Sequence, residues 1–139
     1  MNLTRLHIII AEDDEDDGEL LCESFNKHAS FKTVIWVKNG RSLLETLRSN
    51  NYDTIPDLVL TDINMPIMNG IEAAEEIFKD PQLCTIPLFV YSSAINPIYA
   101  AKCKELGCMA FLIKPYNLAD YDEIPYKLVY QLNQKSNRV

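Results

Sequence analysis

The sequence lacks a long apolar run, has little positive charge and contains few glycines, and each shortage excludes a class of protein. Its apolar runs, such as Leu88 to Tyr91, are far shorter than the roughly 20 residues needed to cross a bilayer, so we expect no membrane span and no signal peptide. Lysine and arginine number 13 against 20 acidic residues, and the net charge of −7 disfavours direct binding to nucleic acid. With only 4 glycines and no low-complexity tract, the chain is expected to be ordered.

The cysteines form no C-x-x-C pair, and each lies within or beside an apolar segment (Cys22, Cys84, Cys103 and Cys108). This pattern is typical of reduced thiols in a protein core, and it favours a cytoplasmic location. A length of 139 residues is that of one domain, so we expect residues 1–139 to form a single domain with no second domain attached.

Short apolar runs alternate five times with stretches of helical periodicity, which predicts an α/β fold with a doubly wound, five-stranded parallel sheet. The fourth helix is bounded by a capping Asn96, by Pro97 at its first position and by Gly107 at its end. Pro125 would break a helix begun at Asn117, so the fifth helix should start close to Pro125. The predicted strands are 6–11, 33–37, 57–62, 88–92 and 110–113, the three central ones buried on both faces.

Carboxylates follow two of the predicted strands, since the first runs into Glu12 and Asp13 and the third ends in Asp62. If these strands are neighbours in a parallel sheet, about 4.8 Å apart, the three side chains converge. Oxygen ligands of this kind suit a hard divalent cation and indicate a magnesium-dependent phosphoryl site. The alternatives are a solvated acidic loop at 12–17 that favours the following helix terminus, and a turn-forming or capping role for Asp62.

Two further strand ends carry polar groups that suit a phosphoryl oxygen. The fourth strand ends in Ser92 and Ser93, which offer hydroxyls, and the fifth runs into Lys114, which offers an ammonium group. Each alone is a weak signal, because a serine at a strand end is usually a turn residue and a lone lysine is usually solvated. Together with the carboxylates they place complementary groups on four strands, at the edge where ligands gather in such sheets.

Three segments carry a resemblance to a known family: IIIAEDD around Glu12 and Asp13, LVLTDINMPIMNG around Asp62, and FLIKP around Lys114. Over about residues 5–133 the chain resembles the receiver domain of two-component response regulators, of the stand-alone, chemotaxis-regulator-like kind. The resemblance implies a flavodoxin-like (βα)5 fold with strand order 2-1-3-4-5. It also implies that Asp62 is phosphorylated.

The resemblance assigns roles to the other site residues. Glu12 and Asp13 would hold Mg²⁺ or Mn²⁺ together with Asp62, and the backbone carbonyl of Asn64 would be the remaining protein ligand. Lys114 would pair with the phosphoryl group, and Ser92 would turn its hydroxyl toward it, with Ser93 as the competing candidate. A cis peptide bond is implied before Pro115.

The implied switch residue on strand five departs from the family pattern. Many members have a tyrosine three residues before the lysine, whereas this chain has Phe111, which has no hydroxyl to donate in an active state. The ring could still move inward on phosphorylation. The alternative is that Phe111 is an ordinary core residue of the strand.

The expected function is that of a single-domain response regulator, a phosphoacceptor rather than an enzyme, apart from self-catalysed phosphotransfer and autodephosphorylation. The resemblance implies a histidine kinase or histidine phosphotransfer protein as donor. Output would pass to an unknown protein through the face of helix four, strand five and helix five, which carries Tyr99, Phe111, Tyr126 and Tyr130. A phosphorylation-dependent dimer is a further expected state, and neither nucleic acid nor a membrane is an expected partner.

Three alternative hypotheses for the function remain. A flavodoxin-like cofactor protein would need a phosphate-cradling loop after strand one, where this chain has acidic residues. A phosphatase of the haloacid-dehalogenase type would carry a D-x-D motif at its nucleophile. Here the residue two positions after Asp62 is Asn64. A pseudo-receiver would act by binding alone, and the complete set of acidic residues and Lys114 counts against it.

Overall fold

The computed structural model describes residues 5–49, 55–94 and 96–136. Five parallel strands form one sheet in the order β2-β1-β3-β4-β5. The predicted fold class and strand order are therefore confirmed. The strands are β1 (Leu6–Ala11), β2 (Phe31–Val37), β3 (Leu58–Asp62), β4 (Leu88–Ser92) and β5 (Ala110–Ile113).

The strand bounds agree closely with the predicted ones, and the two differences have local causes. β2 begins earlier than predicted, at Phe31, because its first residue pairs with Leu6 beyond an irregularity in the register of β1. β3 begins one residue later than predicted, at Leu58. The preceding Asp57 bonds to His7 of β1 through both its backbone N–H and its carboxylate.

Each helix follows a strand, and the fourth helix begins and ends at the predicted residues. Asn96 caps the fourth helix through the backbone N–H groups of Ile98 and Tyr99, and Gly107 ends it with a φ of 105°. A short 3-10 turn, Leu118–Asp122, precedes the fifth helix, which holds Pro125 in its first turn, where no helical hydrogen bond is lost. The helices are α1 (Glu15–Lys27), α2 (Gly40–Arg48), α3 (Gly70–Lys79), α4 (Pro97–Leu106) and α5 (Glu123–Ser136).

Two apolar layers cover the sheet because side chains alternate along each strand. Ile8 and Ile10 of β1 pack with α1 and α5, whereas Ile9 between them packs with α2 and α3. The strands β3 and β4 are buried along their whole length. Among the described residues no helix is both long enough and apolar enough to span a membrane.

A third, smaller group of side chains lies between the sheet, α3 and α4, and we call it the α4–β5 cluster. Its buried members are Ile63, Ile71, Val90 and Cys103, and the half-buried Tyr99, Cys108 and Phe111 pack against them. Cys103 is the only buried residue of α4, and no residue of β5 is fully buried. α4 and β5 together therefore contribute a single fully buried residue.

Candidate functional site

The carboxylates after β1 and at the end of β3 converge, as the strand ends predict. Ala11 pairs with Thr61 in the sheet, which places Glu12 beside Asp62. Carboxylate oxygens of Glu12, Asp13 and Asp62 lie within 4.8 Å of one another. Glu12 is 0% exposed and Asp62 is 4% exposed, whereas Asp13 lies at the surface. Two buried negative charges at this distance require positive charge nearby.

Lys114 supplies that positive charge from the end of β5. Its Nζ lies 2.9 Å from Glu12 Oε1, 3.0 Å from Asp62 Oδ2 and 3.3 Å from Asp17 Oδ2. Burial alone would lower the pKa of Lys114, but the hydrogen bonds and charges of Glu12 and Asp62 outweigh it and raise that pKa above its ordinary value. The ammonium group therefore stays charged and links three strand ends and α1.

Glu12 is held by partners on both of its carboxylate oxygens. The Tyr91 hydroxyl donates to Oε1, and the backbone N–H of Asp14 donates to Oε2 at 3.2 Å. The Trp36 indole N–H donates to the Glu12 carbonyl at 2.8 Å, which fixes the backbone as well. Burial raises the pKa of Glu12, and the hydrogen bonds from Tyr91 and Lys114 limit that rise.

Asp62 is positioned by the turn into α3. The backbone N–H of Ile63 donates to Asp62 Oδ1 at 2.7 Å, which leaves Oδ2 facing Lys114. Gly70 passes so close to the strand end that a Cβ there would lie 2.1 Å from the Asp62 carbonyl oxygen. Asn69 caps α3 in a reciprocal capping box with Glu72. The segment Asn69-Gly70 thus fixes where the strand ends.

The loop between Asp62 and α3 stores local strain. Ile67 has a φ of 70°, a left-handed conformation that β-branched residues rarely adopt, and it is 68% exposed. The Met68 N–H donates to the Pro66 carbonyl at 2.7 Å and closes this turn. Asn64 lies exposed in the same loop. Strain of this kind is concentrated at functional sites.

The predicted switch residues occupy different environments. Ser92 is 5% exposed at the end of β4, where its carbonyl accepts the Lys114 backbone N–H at 2.8 Å, whereas Ser93 is exposed. Phe111 is half-buried against the α4–β5 cluster.

The implied cis bond before Pro115 is wrong for this structure. No described peptide bond is cis, so the Lys114–Pro115 bond is trans. The trans form is the intrinsically favoured one by about 0.5–1 kcal/mol even for proline.

The sequence interpretation missed three residues of the site: Asp17, Tyr121 and Tyr91. The acidic residues after Asp13 were expected to be solvated or to cap α1, and Asp14 does cap it, through the Asp17 N–H at 2.9 Å. Asp17, however, contacts Lys114 and accepts a hydrogen bond from the Tyr121 hydroxyl at 3.0 Å. Burial and that bond raise the pKa of Tyr121 to about 12.

Only weak signals could have found these residues. Asp17 lies in the first turn of the helix that follows β1, so only its closeness in sequence to Glu12 and Asp13 pointed to the site. Tyr91 lies in a predicted buried strand, where an aromatic side chain is typical of the hydrophobic core, so its sequence position gave no sign of a role in the site.

A doubly wound sheet whose strand ends bring together three carboxylates and a lysine defines a receiver domain. A family model described as the response regulator receiver domain matches residues 8–124, and the chain belongs to this family. Receiver domains are signalling modules that bind Mg²⁺ or Mn²⁺ at an acidic pocket and interact with histidine kinases or phosphotransfer proteins.

Three proteins illustrate the similarity. The sensor histidine kinase CheAY of Helicobacter pylori (strain ATCC 700392 / 26695) is 31% identical over 111 residues, which are 80% of this chain and 13% of that protein. The phosphorylated cyanobacterial phytochrome response regulator RcpA has a TM-score of 0.84 at 27% identity, covering 94% of this chain and 96% of that one. The Mn²⁺-bound response regulator Rcp1 has a TM-score of 0.77 at 27% identity, covering 88% and 91%.

The first curated relatives are longer proteins. The chain spans 13% of CheAY and 32% of a protein-glutamate methylesterase/protein-glutamine glutaminase of Clostridium acetobutylicum. The similarity to these two proteins therefore concerns only a part of each.

Proposed function

We propose that this chain is a single-domain response regulator in which Asp62 accepts a phosphoryl group from a phosphohistidine. The observation that carries the proposal is the convergence of Glu12, Asp13 and Asp62 within 4.8 Å, with Lys114 Nζ 3.0 Å from Asp62. The donor would be a histidine kinase or histidine phosphotransfer protein. The reaction forms a bond between Asp62 Oδ and phosphorus while the bond from phosphorus to the donor imidazole nitrogen breaks, and the imidazole keeps the electron pair.

The donor set fits a divalent cation, because the converging side chains offer only oxygen ligands, as Mg²⁺ and Mn²⁺ prefer. Asp13, Asp62 and Glu12 would hold the ion, with the backbone carbonyl of Asn64 as a further ligand. Asp13 is the better direct side-chain ligand, since both carboxylate oxygens of Glu12 already accept hydrogen bonds. A bound cation would neutralise charge on the phosphoryl oxygens.

The chain's own residues position and neutralise the reacting groups. The Ile63 N–H holds one oxygen of Asp62, so the carboxylate meets the donor in a fixed orientation. Lys114 is close enough to move from the Asp62 carboxylate to a phosphoryl oxygen with little displacement. Asp17 of α1, which accepts a hydrogen bond from Tyr121, holds Lys114 from the side during that move.

Ser92 and Phe111 form the proposed route from the site to the surface. Ser92 is favoured over Ser93 because it is buried at the strand end next to Asp62, whereas Ser93 is exposed. A Ser92 hydroxyl drawn toward the phosphoryl group would open space beside β4. Phe111, already half-buried against the α4–β5 cluster, could then move inward. Without a tyrosine hydroxyl, the inward state gains burial alone.

The proposed output surface is the face of α4, β5 and α5. It presents Ile98 at 78% and Tyr130 at 61% exposure. Tyr126, which was also expected on this face, instead lies on the α1 side of α5, where its ring contacts that of His28 with centroids 4.3 Å apart. Exposed aromatic and aliphatic side chains of this kind suit contact with another protein or with a second copy of this chain. The net charge of −7 argues against nucleic acid as a partner. We place the protein in the cytoplasm, where its phosphodonors act.

Intact-mass measurement after incubation with acetyl phosphate and Mg²⁺ tests the proposal. We expect a gain of one phosphoryl group that is lost in Asp62→Asn and when Mg²⁺ is chelated. Asp13→Asn should abolish the response to Mg²⁺, whereas Glu12→Gln should weaken it. A gain that persists in Asp62→Asn would refute the assignment. No gain in the folded wild-type protein would favour a pseudo-receiver.

A further inference from the structure

The end of α4 brings two cysteines together. The carbonyl of Cys103 accepts the backbone N–H of Gly107 at 3.1 Å and that of Cys108 at 2.9 Å. Gly107 between them is left-handed, with a φ of 105°. In a helix terminus of this geometry the residue after the glycine and the residue three positions inside the helix end meet through their side chains. Here both residues are cysteines.

The two thiols contact each other in a shared environment. A hydrogen bond from the Cys108 thiol to Cys103 joins the side chains, and it lowers the pKa of Cys103. Cys103 is 2% exposed, whereas Cys108 is half-buried and can be reached from solvent. Both pack in the α4–β5 cluster, which also holds Tyr99 and Phe111.

We propose that Cys103 and Cys108 form a reversible intramolecular disulfide in the folded protein, a redox modification site at the output face. The oxidant class is a low-molecular-weight disulfide. Spacing alone does not suggest this pair, since the two residues form no C-x-x-C motif. The two cysteines are brought together by the backbone geometry at the end of α4.

The oxidation proceeds in two thiol exchanges. The Cys103 thiol, whose pKa is lowered, first loses its proton to solvent. It then takes the proton of the more accessible Cys108, and the resulting Cys108 thiolate attacks one sulfur of the oxidant. This forms a mixed disulfide and releases one small thiolate. Cys103 then loses its proton to solvent and attacks the Cys108 sulfur, which releases the second small thiolate. The two small thiolates take up the two protons, so one external disulfide is reduced as one protein disulfide forms.

The disulfide would act on the α4–β5 cluster by a route separate from Asp62. It would tie the last turn of α4 to the short connection that leads into β5, close to Phe111. Asp62→Asn should therefore form the disulfide as readily as the wild type, which separates this proposal from the phosphoacceptor assignment.

Thiol counting with oxidised glutathione as the probe tests the proposal on the full chain. We expect the number of alkylatable cysteines to fall from four to two, with a peptide map that links Cys103 to Cys108 and with recovery of all four after reduction. The double variant Cys22→Ser, Cys84→Ser should lose both of its thiols. Cys103→Ser should instead retain one glutathione on Cys108, because the second exchange cannot occur.

Several results would overturn the proposal. They are retention of four alkylatable thiols, a disulfide that joins any other pair, a lasting glutathione adduct on wild-type Cys108, or a disulfide that forms only in urea. Because the double variant removes every other cysteine, loss of thiols in the wild type but not in that variant would also contradict it.

Discussion

The acidic edge of the sheet and the α4–β5 cluster lie on adjacent strands but are held in different ways. At the acidic edge, Lys114 contacts three carboxylates, and Glu12 and Asp62 each accept backbone hydrogen bonds. In the α4–β5 cluster only four residues are fully buried, and α4 contributes one of them, Cys103. The carboxylates and Lys114 are thus fixed by many partners, whereas the proposed switch surface contains few buried residues.

The largest difference between the acidic edge and the α4–β5 cluster is expected when Lys114, whose ammonium group contacts three carboxylates, is replaced. Lys114→Met should destabilise the metal-free protein by about 3 kcal/mol, because it leaves Glu12 and Asp62 buried without an opposite charge. Urea denaturation measures the change. Added Mg²⁺ should recover more stability in this variant than in the wild type, since the cation replaces the lost charge.

The matched control is Lys104→Met, which removes the same side chain from the exposed end of α4. It should cost less than about 1 kcal/mol, the usual size of a favourable charge at a helix terminus. Equal losses in the two variants would contradict the view that Lys114 neutralises a buried site.

A smaller effect is expected from the hydroxyl that holds Glu12. Tyr91→Phe should cost about 1.5–3 kcal/mol when Glu12 is charged, the usual range for a hydrogen bond to an ionised group. Tyr99→Phe on α4 is the control, since the described residues provide no hydrogen-bond partner for its hydroxyl, and it should be nearly neutral.

The cost of Tyr91→Phe should depend on pH. The pKa of Glu12 is raised in the folded state, so its ionisation lowers stability as the pH rises from about 4.5 through the folded pKa. Loss of the Tyr91 hydroxyl raises that pKa further. The difference between wild type and variant should therefore be small below pH 4.5 and grow above it, in urea titrations without Mg²⁺. A difference that shrinks with rising pH would show that Tyr91 does not stabilise the carboxylate.

The smallest change in stability is expected at the α4–β5 cluster. Phe111→Ala should cost about 1–2 kcal/mol, because the ring is only half-buried. Phe89→Ala on the neighbouring strand removes a ring that is 0% exposed and should cost about 3–5 kcal/mol. Phosphorylation of Asp62 should survive Phe111→Ala while phosphorylation-dependent partner binding is lost. A cost for Phe111 as large as that for Phe89 would make it an ordinary core residue.

The sequence predicted those parts of the site that follow from strand ends and helix signals. Glu12, Asp13 and Asp62 converge because the carboxyl ends of parallel strands lie at one edge of the sheet. The bounds of α4 were predictable because Asn96 caps it, Pro97 occupies its first turn and Gly107 adopts the left-handed conformation that ends it. Such features depend on local sequence and on one topological rule, so a pattern is enough to find them.

The remaining contacts depend on tertiary placement. Tyr91 in a buried strand looks like any core aromatic until Glu12 is brought to its hydroxyl. Asp17 differs from its acidic neighbours only because Lys114 reaches it. The isomer at Pro115 could not be read from sequence, because the two forms differ by only about 0.5–1 kcal/mol and the surrounding structure decides between them.

If a phosphoryl group on Asp62 acts on the α4–β5 cluster, amide hydrogen exchange should detect the change there. Beryllofluoride with Mg²⁺ imitates a phosphoryl group on a carboxylate and can be compared with Mg²⁺ alone. We predict changed exchange across 97–113, unchanged exchange in β1 and β3, and no response in Asp62→Asn. Changes confined to the loops around Glu12 and Asp62, or the same changes in Asp62→Asn, would contradict the account.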